Sequence, residues 1–183
     1  LAKHKLFNKK INFDLKRIKL ALAKLDHPEE KLSNVIQIIG SDGKYSVLRA
    51  LRFFIEENNQ TVSTHVSPSL KDIRERFWMG KNYLAHGEIR KTIKIIEKLK
   101  IPLTIYEVLT LIFIINASQR KNDYCIQEAG ALWRLDSNNV INFPLKQIVV
   151  NINKQHLNFL KKKTLDEVIY QKVGFLNQFT DIY

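Results

Sequence analysis

The chain has 183 residues, of which 45% are hydrophobic and 26% are charged, and its formal net charge is +12. This length and composition are typical of one packed domain and exclude disordered, fibrous and low-complexity classes. The positive charge favours an anionic partner such as a nucleic acid, a membrane surface or a polyphosphate, although a solvated basic surface explains it equally well.

Helices and strands alternate along the sequence. Hydrophobic periodicity predicts, in chain order, helix 13–25, strand 35–39, helix 44–57, strand 61–66, helices 88–98 and 104–117, strand 124–128, strand 147–152 and helix 165–175. Such alternation predicts an α/β fold: a three-layer domain around a mostly parallel central sheet. Helix 44–57 is expected to bury one apolar face, formed by Val47, Leu51, Phe54 and Ile55.

Ligands of parallel sheets bind at the carboxyl ends of the strands. Four residues stand at or just after these ends, namely Gly40, Ser67, Glu128 and Asn153. The candidate functional site is therefore expected at this edge of the sheet.

A candidate phosphate loop, Gly40-Ser41-Asp42-Gly43-Lys44-Tyr45-Ser46, joins the first strand to a helix. The main-chain N–H groups of Asp42 to Lys44 are expected to converge on an anion, with Lys44 as its counter-charge and a following hydroxyl near Mg²⁺. The longer Walker spacing is absent, because Ile38 stands five residues before Gly43. The simpler alternative is a glycine turn with Lys44 in solvent.

The loop resembles the Gly-Thr-Asn-Gly-Lys-Gly-Ser loop of folylpolyglutamate and dihydrofolate synthases, relatives of the Mur ligases. Further motifs follow the family's order: 25–28 resembles Leu-x-x-Pro, 66–70 Thr-Ser-Pro-His-Leu, 103–110 Leu-Thr-x-Phe-Glu-x-x-Thr, 128–139 Glu-x-Gly-Leu-Gly-Gly-Arg-x-Asp-Ala-Thr-Asn, 155–156 Asp-His and 171–175 Glu-Lys-Ala-Gly-Ile. Arg76 with Gly80 is similar to the family's Glu-Arg-Ile…Gly turn.

The resemblance implies a P-loop-type, Mur ligase-like ATP-binding domain. Residues 1–183 would be its N-terminal part, incomplete and without the C-terminal glutamate ligase domain. It also implies an ATP-dependent ligase that joins L-glutamate to dihydropteroate or folate through an acyl phosphate. A monomeric, cytoplasmic protein is expected, with ATP and Mg²⁺ as cofactors and no membrane partner.

The resemblance also assigns roles to individual residues. The phosphates would be held by Gly40, Ser41, Asp42, Gly43, Lys44 and Ser46. Ser67 and Glu107 would ligate Mg²⁺, and His156 would ligate a second ion. Lys172 matches a lysine that is carbamylated in the family, and the catalytic residues would be Lys44, Lys172 and His156.

Residue chemistry supports Glu107 independently of the resemblance. Glu107 lies one turn into an apolar helix, where an unpaired carboxylate would cost several kcal/mol. A ligand or an ion pair is therefore expected there. Glu128 could support the site or pair with a helix cation. The other histidines, His4, His27, His65 and His86, show no ligand spacing and are expected at surfaces or turns, and Cys125 is expected to be a small buried residue.

Two alternatives remain open. A degenerate homologue that binds nucleotide or pterin without ligation is suggested by Tyr45, Trp133 and Gln155, where the family has Gly, Gly and Asp. A basic nucleic-acid-binding module is weaker, because no docking motif is present. The isolated chain is predicted to have no ligase turnover, and its sheet to have an unfinished edge at 147–152.

Overall fold

A computed structural model describes residues 13–183, so His4 and the start of the predicted domain 1–183 lie outside the described part. The helices are α1 (Leu15–Lys24), α2 (Lys44–Glu57), α3 (His86–Lys98), α4 (Ile105–Arg120) and α5 (Leu165–Val173). The strands are β1 (Val35–Ile39), β2 (Val62–His65), β3 (Phe77–Met79), β4 (Tyr124–Glu128), β5 (Lys146–Val149) and β6 (Asp181–Ile182). Three short 3-10 turns cover Pro28–Lys31, Ile73–Arg76 and Leu157–Phe159.

The strands form one sheet in the order β3-β2-β4-β1-β5-β6. All neighbours are parallel except β2 and β3, which are antiparallel. Strands β1 and β4 lie at the centre and are buried on both faces, as expected for short apolar runs that lack alternation. The predicted α/β class with a mostly parallel sheet is confirmed.

Helices cover both faces of the sheet. On one face α1, α3 and α4 form the larger core, in which α4 is buried along most of its length. On the other face α2 packs on β1, β2 and β4 through Leu48, with Val47, Leu51 and Ile55 partly buried beside it. Phe54, predicted to be buried with them, is 62% exposed. Its position lies at the edge of the apolar stripe of the helix, and it is not among the residues packed on the sheet.

Two strands were absent from the sequence prediction. Strand β3 has three residues, too few for a period to be recognised, and β6 has two. Because Lys146 pairs with Asp181 and Gln147 with Ile182, β5 has a neighbour on each side. The prediction of an unfinished edge at 147–152 is therefore wrong: β5 ends at Val149, and β6 lies beyond it.

His65 is not a surface residue, contrary to the sequence prediction. It is completely buried between Phe77 and Phe113, whose rings stack on the imidazole at centroid distances of 5.5 and 5.3 Å. Burial lowers the pKa of His65 to about 3. The buried position predicted for Cys125 is confirmed, and burial raises the pKa of its thiol to about 12. Within residues 13–183, no helix has both the length and the apolar character needed to cross a bilayer.

Candidate functional site

The predicted phosphate loop lies between β1 and α2, as the sequence indicated. Gly43 is the N-cap of α2, has a φ of +81° and makes no side-chain cap. Among the described residues, no acceptor is bound by the main-chain N–H groups of Lys44, Tyr45 and Ser46; the first main-chain bond of the helix is Val47 N–H to Gly43 O. A 14-residue helix thus presents three free N–H groups at its positive end, an arrangement suited to an anion.

The start of the loop is fixed against the segment that follows β5. Ser41 N–H donates to Asn151 O, and Asp42 N–H donates to Asn151 Oδ1, both at 2.8 Å. The Asp42 N–H therefore does not join Gly43 and Lys44 in an anion site, contrary to the sequence prediction. Among the described residues, the N–H groups without an acceptor are those of Gly43 and of the first turn of α2.

Gly40 is required by the close approach of this segment. Its φ is +148°, and a Cβ built on it would lie 2.2 Å from Val150 Cγ2 and 2.9 Å from Asn151 O. Any side chain would separate the loop from the segment that follows β5. The glycine therefore serves chain packing at this position.

Two buried lysines meet on the loop. Lys44 Nζ donates to Gly40 O at 3.3 Å and to Ser41 O at 2.8 Å. Lys172 Nζ, on α5, donates to the same Gly40 O at 2.5 Å and to Ala131 O at 3.0 Å. Burial, and next the charge of Lys44, lowers the pKa of Lys172 to about 8. No local pattern indicates that Lys172 is buried. Folding brings it to Lys44, with which the resemblance groups it as a catalytic residue.

A buried carboxylate lies beside Lys44. Glu128 at the end of β4 is buried, and its Oε1 lies 3.9 Å from Lys44 Nζ. Its Oε2 accepts the Ser67 N–H at 3.1 Å, and Ser67 Oγ accepts from Arg76 at 3.0 Å. Burial raises the pKa of Glu128. Ser67 and Glu128 thus place oxygen atoms beside Lys44, and oxygen is the donor that Mg²⁺ prefers.

A cavity of about 480 Å³ opens next to these residues. Four residues predicted for the site, Lys44, Ser67, Glu107 and His156, line it. Its other lining residues include Phe13, Pro68, Arg76, Tyr106, Leu135 and Asp136. Folding therefore gathers these four residues around one cavity, although they are spread over more than a hundred positions.

Within this cavity the carboxylate of Glu107 is already engaged. Its Oε2 accepts the Thr104 N–H at 2.6 Å, closing the capping box of α4. Its Oε1 lies 3.0 Å from Arg17 on α1. The ion pair that the sequence offered as one of two explanations is present. Its partner Arg17 was not identified, because a contact between residues 90 positions apart leaves no local pattern.

His156 is the N-cap of the 3-10 turn Leu157–Phe159 and has a φ of +59°. Its ring stacks on that of Phe159 at a centroid distance of 6.2 Å. Its pKa is lowered by burial first and then by Lys172 and Lys44. A neutral imidazole is the form that can ligate a metal ion.

Two polar residues at the cavity wall were not singled out by the sequence. Asp136 is buried and accepts the N–H groups of Gly130 and Asn138 at 2.8 and 2.9 Å. Burial nevertheless raises its pKa to about 6. The Tyr106 hydroxyl accepts from Asn138 at 3.1 Å. Both belong to motifs quoted above, so their place in those motifs was the available signal.

The histidines outside the cavity show one cluster. Among the described residues, the group of His, Asp, Glu or Cys ligand atoms lying within 4.8 Å of one another is His27, Glu29 and Glu30. It lies at the turn Pro28–Lys31, with the Glu29 side chain largely buried and His27 and Glu30 exposed, and none of the three lines the cavity. His86 is exposed and pairs with Asp72, as expected of a surface histidine.

Comparison with known proteins gives one consistent result. No protein-family model matches the chain. It is 28% identical over 173 residues to the dihydrofolate synthase/folylpolyglutamate synthase of Bacillus subtilis, covering 90% of this chain and 40% of that protein. It is 30% identical over 156 residues to the protein of the same name from Buchnera aphidicola, covering 84% and 37%.

Solved structures agree. E. coli FolC in complex with ADP is 24% identical with a TM-score of 0.87, covering 94% of this chain and 42% of that one. The folylpolyglutamate synthase of Thermotoga maritima is 24% identical with a TM-score of 0.82, covering 95% and 42%. These likenesses establish the fold, and the predicted resemblance to the folylpolyglutamate/dihydrofolate synthase family is confirmed. The chain spans about 40% of the length of the relatives it matches.

Proposed function

We propose that this chain, similar to folylpolyglutamate/dihydrofolate synthases over some nine-tenths of its length, forms the nucleotide-binding part of an ATP-dependent ligase. The complete reaction would join L-glutamate to dihydropteroate or folate. A substrate carboxylate oxygen attacks the γ-phosphorus and ADP leaves; the glutamate amine then displaces phosphate from the acyl phosphate, giving an amide. The fold and the site support the first of these steps.

One observation carries the proposal. Two buried ammonium groups, of Lys44 and Lys172, share the Gly40 carbonyl beside three N–H groups that have no acceptor among the described residues. Like charges so placed repel each other, and an anion between them and the helix end would relieve that repulsion. A polyphosphate supplies the charge and the oxygen acceptors at once.

The residues present also fit a divalent cation. Ser67 and Glu128 would hold it, through hard oxygen atoms beside the phosphate loop. When bound, Mg²⁺ would neutralise charge on the phosphoryl oxygens. The resemblance assigns this role to Glu107, but the Glu107 carboxylate is bound to Arg17 and to the N-terminus of α4. We therefore place Glu128, rather than Glu107, beside the metal.

The cavity would receive the carboxylate substrate. Phe13, Pro68 and Leu135 give it apolar walls for an aromatic ring system, and Asp136 and Tyr106 give it polar contacts. With its pKa raised to about 6, Asp136 can carry a proton in weakly acidic solution and can bind ring N–H groups when ionised. These contacts would orient the substrate toward Lys44 and exclude water from one side of it.

Calorimetry with AMPPNP and Mg²⁺ tests nucleotide binding. We expect the chain to bind, and Lys44→Ala to weaken binding at least tenfold, because a charge-assisted bond is lost. Lys91→Ala, an exposed lysine on α3, is the matched control and should bind as the unaltered chain does. Equal affinity for Lys44→Ala and the unaltered chain would contradict the proposal.

A second titration distinguishes Glu128 from Glu107 as the carboxylate beside the metal ion. If Glu128 lies at the metal, Glu128→Gln removes the gain in AMPPNP affinity that Mg²⁺ provides, while affinity without Mg²⁺ changes little. Glu107→Gln should retain that gain. The reverse result would return the metal to Glu107.

A further inference from the structure

The phosphate loop contains an acidic residue, Asp42, whose carboxylate is bound by two side chains of the segment that follows β5. Among the described residues, none of the first three N–H groups of α2 donates to it. Asp42 Oδ2 accepts from Asn153 Nδ2 at 2.6 Å, and Asp42 Oδ1 accepts from Gln155 Nε2 at 2.9 Å. We call these two side chains, Asn153 and Gln155, the amide pair. Their hydrogen bonds lower the pKa of Asp42, so the carboxylate is ionised.

Asp42 lies close in sequence to the free N–H groups of α2. It stands two residues before Lys44, where the three free N–H groups of α2 begin, and the N-cap Gly43 offers no side chain to them. At the N-cap itself aspartate is among the strongest acceptors for such groups, and a negative charge is favoured near a helix N-terminus. An unrestrained Asp42 could bind these N–H groups itself and occupy the place of an anionic ligand.

Main-chain bonds support the amide pair. Ser41 Oγ accepts the Asn153 N–H at 2.9 Å and donates to Asn153 O at 3.3 Å. Gln155 precedes His156, which lines the cavity. The segment that binds Asp42 is thus attached both to the loop and to the cavity wall.

We propose that Asn153 and Gln155 are positioning residues that hold the Asp42 carboxylate away from the N-terminus of α2 and so keep its three N–H groups free for a phosphate. The inference rests on the proposed function for the identity of the ligand. Whether the amide pair keeps the Asp42 carboxylate from binding the N–H groups of α2 can be measured on the unliganded chain, without nucleotide.

Four forms of the chain make the test: the unaltered protein, Asn153→Ala/Gln155→Ala, Asp42→Ala, and the triple variant. Amide hydrogen exchange of Lys44, Tyr45 and Ser46 is measured first, without nucleotide. The amide-pair variant should slow this exchange about fivefold or more, because the released Asp42 accepts from these groups. The triple variant should return to the unaltered rate.

The affinity for AMPPNP with Mg²⁺ is measured on the same forms. The amide-pair variant should bind about tenfold more weakly, the equivalent of one capping interaction. Adding Asp42→Ala should restore binding to within about threefold of Asp42→Ala alone. A variant of two exposed amides elsewhere, Gln60→Ala/Gln119→Ala, should match the unaltered chain in both measurements.

Each other outcome overturns an identified claim. Unchanged exchange at Lys44 to Ser46 in the amide-pair variant would refute the withholding of Asp42. A loss of affinity that persists in the triple variant would show that the amide pair only supports the loop. If the unaltered chain and Lys44→Ala bind AMPPNP equally, the proposed function fails, while the exchange rates still decide the role of the amide pair.

Discussion

Replacing Gly40 by alanine tests the packing on which the phosphate loop depends. The new Cβ would lie 2.2 Å from Val150 Cγ2 and 2.9 Å from the main-chain Asn151 O, in a residue with a φ of +148°. The backbone strain costs about 1–3 kcal/mol. The overlap adds about 1–3 kcal/mol, since valine is stiff at χ1 and a carbonyl in a hydrogen bond cannot move freely.

We expect Gly40→Ala to lower the free energy of unfolding by about 3 kcal/mol or more. For a chain of this length that is a fall in Tm of roughly 6–12 °C. Urea unfolding followed by circular dichroism at 25 °C measures it.

Two other glycines are internal controls for this experiment. Gly43 has a φ of +81° but nothing within 4 Å of its Cβ position, so Gly43→Ala should cost only the strain, about 1–2 kcal/mol. Gly87 in α3 has open space as well, and Gly87→Ala should be neutral or stabilising by up to about 1 kcal/mol. A Gly40→Ala protein as stable as Gly87→Ala would refute the close packing of the loop.

Three further predictions concern buried ionisable groups. Glu107→Gln should lower the free energy of unfolding by about 2 kcal/mol, since it weakens the ion pair with Arg17. Glu57→Gln, at an exposed position, is the control and should have little effect. Equal urea midpoints for the two variants would contradict the prediction for Glu107. The pKa of Lys172 is about 8 in the folded protein against an ordinary 10.5, so the unfolded chain binds the proton more tightly and the free energy of unfolding should rise between about pH 8 and 10.5. Lys172→Met should remove that rise, which is on the order of 3 kcal/mol. An unchanged pH dependence in this variant would refute the burial of Lys172. Because the pKa of His65 is about 3 instead of 6.5, the free energy of unfolding should fall as the pH drops from 6.5 to 3. His65→Phe should reduce this fall, as measured by acid unfolding. An acid-unfolding profile that the substitution leaves unchanged would be evidence that His65 is solvated.

Local sequence determined the central elements and the loop between β1 and α2. β1, β4 and α2 have the predicted bounds, because an apolar β-branched run followed by glycine and then an amphipathic period allows few other structures. Quoted motifs identified the family that the comparisons support. The loop composition predicts an anion site, since a glycine turn, a lysine and the N-terminus of a helix all favour bound anions.

The tertiary structure decided which groups are available and which are engaged. Arg17 satisfies Glu107, Gln155 and Asn153 bind Asp42, and Lys172 is buried against Gly40. Each of these contacts joins residues 90 or more positions apart, so neither periodicity nor spacing along the chain encodes it. Burial and pKa depend on everything packed around a group, which is why the free N–H groups of α2 and the engaged carboxylate of Glu107 could be distinguished only after folding.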